Sequence, residues 1–171
     1  MTVTQKILQL LLLKAVPQDL PCSSRLLLRI IFLYVGSGIV VMGSVAEPAL
    51  ALGRVVLSLA VISVFSYVLL SALNMKARYL QTVTALIGTG IIFNLMAWPV
   101  LSFGDIEQAS AVAVQLLSLA VIALISWEVL VTAHIFRNAL DTKMTQAVLL
   151  SMALFLVTLT LSQLVFPETS S

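Results

Sequence analysis

Charged side chains make up only 9% of this 171-residue sequence, against roughly a quarter in a soluble domain, too few to cover a water-facing surface. One cysteine, Cys22, excludes an internal disulfide, and with one histidine in the chain no cysteine or histidine zinc set can form. Leu20-Pro21-Cys22 lacks the small residues that precede a lipidated cysteine, so Cys22 reads as an ordinary thiol. No basic cluster is present to neutralise phosphates, which excludes nucleic acid as a partner. No Asn-x-Ser/Thr sequon occurs either, which fits a bacterial inner membrane.

What is abundant is apolar: 61% of residues are hydrophobic and the mean hydropathy is +1.15. Several apolar runs reach the length of about 20 residues that a helix needs to cross a hydrocarbon core of about 30 Å. The pattern predicts an all-α, polytopic bundle of five transmembrane helices, over about residues 26–46, 55–73, 79–103, 111–134 and 144–166. Residues 1–24 form a preceding segment and linker, and 167–171 a polar tail. Lys6 before the run Leu10 to Leu13 resembles the start of a signal peptide, but no small-x-small cleavage pattern follows. Thr2, Gln5, Lys6 and Gln9 share one helical face, which predicts a short amphipathic helix in the membrane interface, ended by Pro17 and Pro21. Asn74 to Arg78 is a tight turn that makes spans two and three a hairpin, and Phe136 to Lys143 is the next turn.

Basic residues accumulate in cytoplasmic loops. Lys6, Lys14, Arg25, Arg29, Lys76, Arg78, Arg137 and Lys143 all fall on one side of the five spans. The other side holds Arg54 with Glu47, Asp105, Glu107 and Glu168. The expectation is a cytoplasmic N-terminus and a C-terminus outside. Leu57 to Ile62 recurs letter for letter as Leu117 to Ile122, with Ser66-Tyr67 matching Ser126-Trp127. This is either a parallel two-hairpin repeat or a chance match within a small apolar alphabet.

Few residues can carry chemistry. An ionisable group at the centre of a span costs about 2.5–3.5 kcal/mol and marks a pairing or a pathway. Glu128 lies less than two turns from the expected end of span four, where Lys76, Arg78 or Lys143 can pair with it or where it can sit as a protonated, hydrogen-bonded acid; a ligand or proton site is the alternative. His134 stands six residues on, about 120° around the helix and about 9 Å along it, so it is expected to cap the last turn of span four rather than to work with Glu128. Asn94 in span three and Gln115 in span four complete a candidate polar route with Glu128. In span five, Ala147, Ser151, Thr158 and Ser162 form one stripe of small and hydroxyl residues, the pattern of close helix packing in lipid. Gly36, Gly43, Gln81, Thr84 and Gly88 suggest further packing faces, and Trp98 and Trp127 are interfacial or packing aromatics. Gly88-Thr89-Gly90 is no phosphate loop, because it lies within a span and lacks the lysine.

Trp127 near the end of span four, the turn His134 to Lys143, and Ala147 opening span five after a polar linker resemble the YIP family of five-span membrane proteins, particularly its bacterial members. The likeness covers about the final third of the chain in detail and the remainder as hydrophobic layout. Eukaryotic members act in vesicle trafficking through small GTPases, using an Asp-Leu-Tyr-Gly-Pro segment and a long soluble N-terminal region. This sequence has neither, so the resemblance implies a fold and no site residue.

The function expected is non-enzymatic: an assembly, scaffold or membrane-organisation component in the lipid bilayer, with no cofactor or metal, acting with a membrane-protein partner or as a homo-oligomer. The alternative is a transporter or channel subunit with a polar route at Glu128. An intramembrane enzyme needs a nucleophile with a base, or several metal ligands, and one cysteine and one histidine far apart in the chain do not supply them.

Overall fold

The computed structural model describes residues 2–43, 48–102 and 111–167. Glu47, Phe103, Glu168 and the connection Gly104 to Glu107, with Asp105, lie outside the described residues. The helices are α1 (Val3–Leu11), α2 (Ser24–Met42), α3 (Pro48–Ala72), α4 (Tyr79–Ser102), α5 (Ala111–Leu140) and α6 (Met144–Val165). Helices satisfy every backbone polar group within the segment, as the hydrocarbon requires. Each of the five after α1 is long and apolar enough to cross a bilayer. The chain is an integral membrane protein, and the all-α, five-span architecture read from its sequence is the one observed.

Three span boundaries differ from those expectations. α2 ends at Met42, with Gly43 as its C-cap, short of residue 46. α3 begins at Pro48 rather than near Val55, because proline suits the first turn of a helix and Arg54 does not interrupt one. α5 runs on to Leu140 through what the sequence suggested was a turn. Polar residues alone do not stop a helix; here a residue in the left-handed region does. Asp141 has φ 49° and Asn74 has φ 57°, and the following amides donate back into the helix, Thr142 to the Arg137 carbonyl at 3.2 Å and Met75 to Leu70 at 2.7 Å. Asn and Asp tolerate this conformation better than other side-chain-bearing residues, and the back-bonding is the usual way to satisfy terminal carbonyls.

Arg78 ties these two turns together. Its guanidinium donates to the Asn138 and Ala139 carbonyls at 3.3 and 3.0 Å and to Asp141 at 3.2 Å. Positive charge at a helix C-terminus is stabilising, so Arg78 both caps α5 and joins the α3–α4 turn to the α5–α6 turn.

α4 is the central helix. Residues Thr82 to Thr89 are buried without a break, and α4 packs most extensively on α2 and also on α5, α3 and α1. Hydroxyls in so apolar a place need partners, and Thr82, Thr84 and Thr89 find them on carbonyls four residues earlier, at 2.6–2.9 Å. Beyond α4, α6 packs on α5 and α3.

The N-terminal segment is docked into the bundle. Thr2 and Gln5 close a capping box at the start of α1, and Leu10 is completely enclosed against α4 and α5. The end of α1 and the irregular stretch that follows offer backbone oxygens to donors on the bundle: Trp127 Nε1 bonds the Leu11 carbonyl at 3.2 Å, His134 Nε2 the Ala15 carbonyl at 2.9 Å, and Gln81 Nε2 the Gln18 and Leu20 carbonyls at 3.0 and 2.8 Å. Gln18 Nε2 in turn donates to the Asn138 carbonyl at 2.6 Å, and Lys6 bonds the Asp19 carbonyl within the segment. His134 is therefore an anchor for this segment and not the cap of the last turn, which lies further on at Leu140.

Candidate functional site

A cleft opens between α2, α3, α5 and α6, with α4 forming its back. It consists of an inner cavity of about 100 Å³ and an outer one of about 340 Å³, which share Tyr34, Ser58, Glu128, Phe155 and Thr158 in their walls. The outer part continues past Asn94 and Ser162 to Arg54 and Gln163. Arg54 Nη2 there donates to the Phe166 carbonyl at 3.4 Å. The inner part ends at Leu86, Thr132 and Ser151. One helical turn nearer Arg78, the chain is sealed by Val83, Phe136 and Ala147, all essentially inaccessible. Among the described residues the cleft runs toward the Arg54 end of the bundle and is closed toward the Arg78 end.

Glycine permits the walls to form. A Cβ on Gly38 of α2 would stand 2.6 Å from Val55 Cγ2 on α3, and one on Gly90 of α4 would stand 2.9 Å from the Tyr34 ring. With hydrogen in both places α2 lies close to its neighbours, and the Tyr34 hydroxyl reaches Ser58 Oγ at 3.2 Å. Asn94 Nδ2 donates to Ser37 Oγ at 3.2 Å, and that hydroxyl donates to the Tyr34 carbonyl at 3.0 Å. These bonds hold the polar side chains of α2, α3 and α4 in fixed orientation, so the wall facing Glu128 is preorganised.

Glu128 differs from its surroundings. No hydrogen bond or ion pair joins its carboxylate to a described residue, and its side chain is exposed to the cleft. The expected pairing with Lys76, Arg78 or Lys143 does not form. α5 continues twelve residues past Glu128, about 18 Å of rise, which puts the carboxylate deep in the bundle and out of reach of the basic turns. Arg78 is committed to Asp141, and Lys76 lies over the Tyr67 ring, 5.9 Å from its centroid.

Of the residues singled out in the sequence, Asn94 and Glu128 come together. Gln115 does not join them: it is exposed, about 20 Å from Glu128 along the same helix and about 140° around it. The α6 stripe changes along its length. Ala147 is packed against the rest of the bundle, Ser151 is buried at the inner end of the cleft, and Thr158 and Ser162 line its wider part. Tyr34 and Ser58 were not legible as site residues. The available signal was a tyrosine at mid-span, away from the interfacial belt where tyrosine is common. Among the described residues no three His, Cys, Asp or Glu side chains gather to hold a metal ion.

Compared with protein-family models, with curated proteins and with solved structures, the chain matches none. Its class is set by its own fold: a five-span helical membrane protein with a cleft between its spans lined by polar and apolar side chains.

Proposed function

We propose that the protein is the solute-binding subunit of a membrane transport system, with Glu128 as the binding group. The observation that carries this is a carboxylate with no hydrogen-bond or ion-pair partner among the described residues, in a cleft to which all five spans contribute. An ionisable residue held inside a membrane bundle at a cost of kcal/mol, without a structural partner, marks a ligand or ion site. A cavity of about 340 Å³ lies in the range of small-molecule sites. The assembly role rests in part on the α6 stripe, and the burial of Ala147 and Ser151 of that stripe within the bundle favours the solute-binding reading over it. The likeness to the YIP family carries no ligand and does not alter this reading.

The basic residues orient the cleft. Eight of the nine Lys and Arg belong to the Arg78 end, an excess that supports a cytoplasmic Arg78 end and a cleft facing the outside of, in our reading, a bacterial inner membrane. A complete path requires the seal at Phe136 to open in a second conformation, alone or in an oligomer.

Thiol chemistry tests this. In a Cys22→Ser background, Thr158→Cys is expected to react with an impermeant cationic methanethiosulfonate, added outside intact cells, at least tenfold faster than Leu156→Cys. Leu156 faces outward on the opposite side of α6, and a thiol in lipid does not ionise to the reactive thiolate. Equal rates at the two positions would remove the water-filled cleft, and the function with it.

A further inference from the structure

We infer that the occupant of the cleft is a small organic ammonium compound with an apolar body; this rests on the solute-binding reading above. Charge comes first. A carboxylate in a low-dielectric site carries its charge only against a cationic partner; no hydrogen bond or ion pair joins Glu128 to a described residue, and Arg54 of the same outer wall is engaged elsewhere, its Nη2 donating to the Phe166 carbonyl at 3.4 Å. A metal ion fits poorly: Mg²⁺ and Ca²⁺ want six or more oxygen ligands, and no group of three acidic, His or Cys side chains exists among the described residues.

The shape of the cleft selects an organic cation instead. Glu128 stands where the narrow inner cavity meets the outer one, so a compact head group can reach the carboxylate while a larger body occupies the outer space. Tyr34 and Phe155 line the same junction, and aromatic walls beside a carboxylate are the usual surroundings of a bound ammonium. The Ser58, Thr158 and Asn94 polar groups are few. Gly38, Met42, Val55, Leu57 and Leu159 give the outer wall an apolar stretch that suits a hydrocarbon body, with Arg54, Ser162 and Gln163 at its far end. A bare proton or alkali ion would leave this apolar volume without a purpose.

The test uses the full chain in lipid nanodiscs at neutral pH, with 4-fluorobenzylammonium and the neutral 4-fluorobenzyl alcohol as probes, followed by ¹⁹F NMR. The ammonium is expected to bind saturably and at least tenfold more tightly than the alcohol, and Glu128→Gln to erase that preference. The ammonium is also expected to slow methanethiosulfonate labelling of Thr158→Cys with Glu128 intact, while the alcohol does not. This second readout needs no substitution at Glu128 and so stands even where the glutamine variant fails to fold. Equal affinity for the two probes, or a preference that survives in Glu128→Gln, overturns the inference. Where Thr158→Cys still reacts rapidly but the probes bind alike, the cleft stands and only the ammonium assignment falls. Where Thr158→Cys is inert, both fall.

Discussion

Phe136→Ala is expected to lower the stability of the bundle by about 3–5 kcal/mol, the largest effect of any single truncation. Phe136 is the bulkiest of the completely enclosed side chains, at 1% exposure. Its ring packs against Phe65 of α3, with centroids 6.0 Å apart and planes tilted by 48°. That geometry adds about 0.5–1.5 kcal/mol beyond simple packing. The loss is not softened by the membrane. Within lipid there is little hydrophobic drive between helices, so contact and shape fit carry the stability that burial from water supplies elsewhere. A cavity in this place forfeits those contacts directly. Equilibrium unfolding in mixed micelles measures the change, and a loss under about 1 kcal/mol would contradict the role of Phe136 as the seal below the cleft.

Gly38→Leu is expected to cost about 1–3 kcal/mol and to abolish the cleft. A Cβ at Gly38 would meet Val55 Cγ2 at 2.6 Å and Cγ1 at 3.0 Å. Val55 cannot step aside, because a β-branched residue in a helix has one strongly preferred rotamer. α2 must move off α3, and the Tyr34–Ser58 bond of 3.2 Å, one turn away, breaks with it. Gly36→Leu is the matched control. Nothing lies within 4 Å of a Cβ there, and leucine gains close to 1 kcal/mol of helix propensity over glycine. Thermal unfolding is therefore expected to fall for Gly38→Leu and to hold or rise for Gly36→Leu. Equal shifts in the two variants would refute the close approach of α2 and α3.

The spans and their order could be read from sequence because hydrocarbon imposes a long, simple rule: about 20 apolar residues in a row, with charge between. Glu128 and Asn94 were also legible, since polar groups inside spans are rare enough to stand out. The environment of Glu128 was not, and the reason is local. The end of α5 depends on Asp141 taking a left-handed conformation, not on the polarity of His134 or Arg137, so the sequence placed the carboxylate too near a helix end. Docking of the N-terminal segment was hidden for a different cause. Trp127, His134 and Gln81 donate to backbone carbonyls, and a carbonyl has no sequence signature.

The hexapeptide shared by α3 and α5 shows the same limit. Ser58 lines the cleft while its counterpart Ser118 is exposed, and Ser66 is fully buried while Ser126 is exposed. Identical letters occupy unlike environments, because neighbours and not sequence decide which face of an apolar helix meets protein and which meets lipid. The α6 stripe changes its role along its length. Near Arg78 it is packed, and beyond Phe155 it borders open space.

Water in that space is the central claim, and a spin-label scan of α6 in liposomes tests it most directly. Nitroxides at Thr158, Ser162, Leu149 and Leu156 are compared for collision with a water-soluble nickel chelate and with lipid-soluble oxygen. Collision with nickel is predicted to dominate at Thr158 and Ser162, and collision with oxygen at Leu149 and Leu156. Oxygen-dominated contact at all four positions would mean that lipid or protein fills the cleft, and would contradict the account.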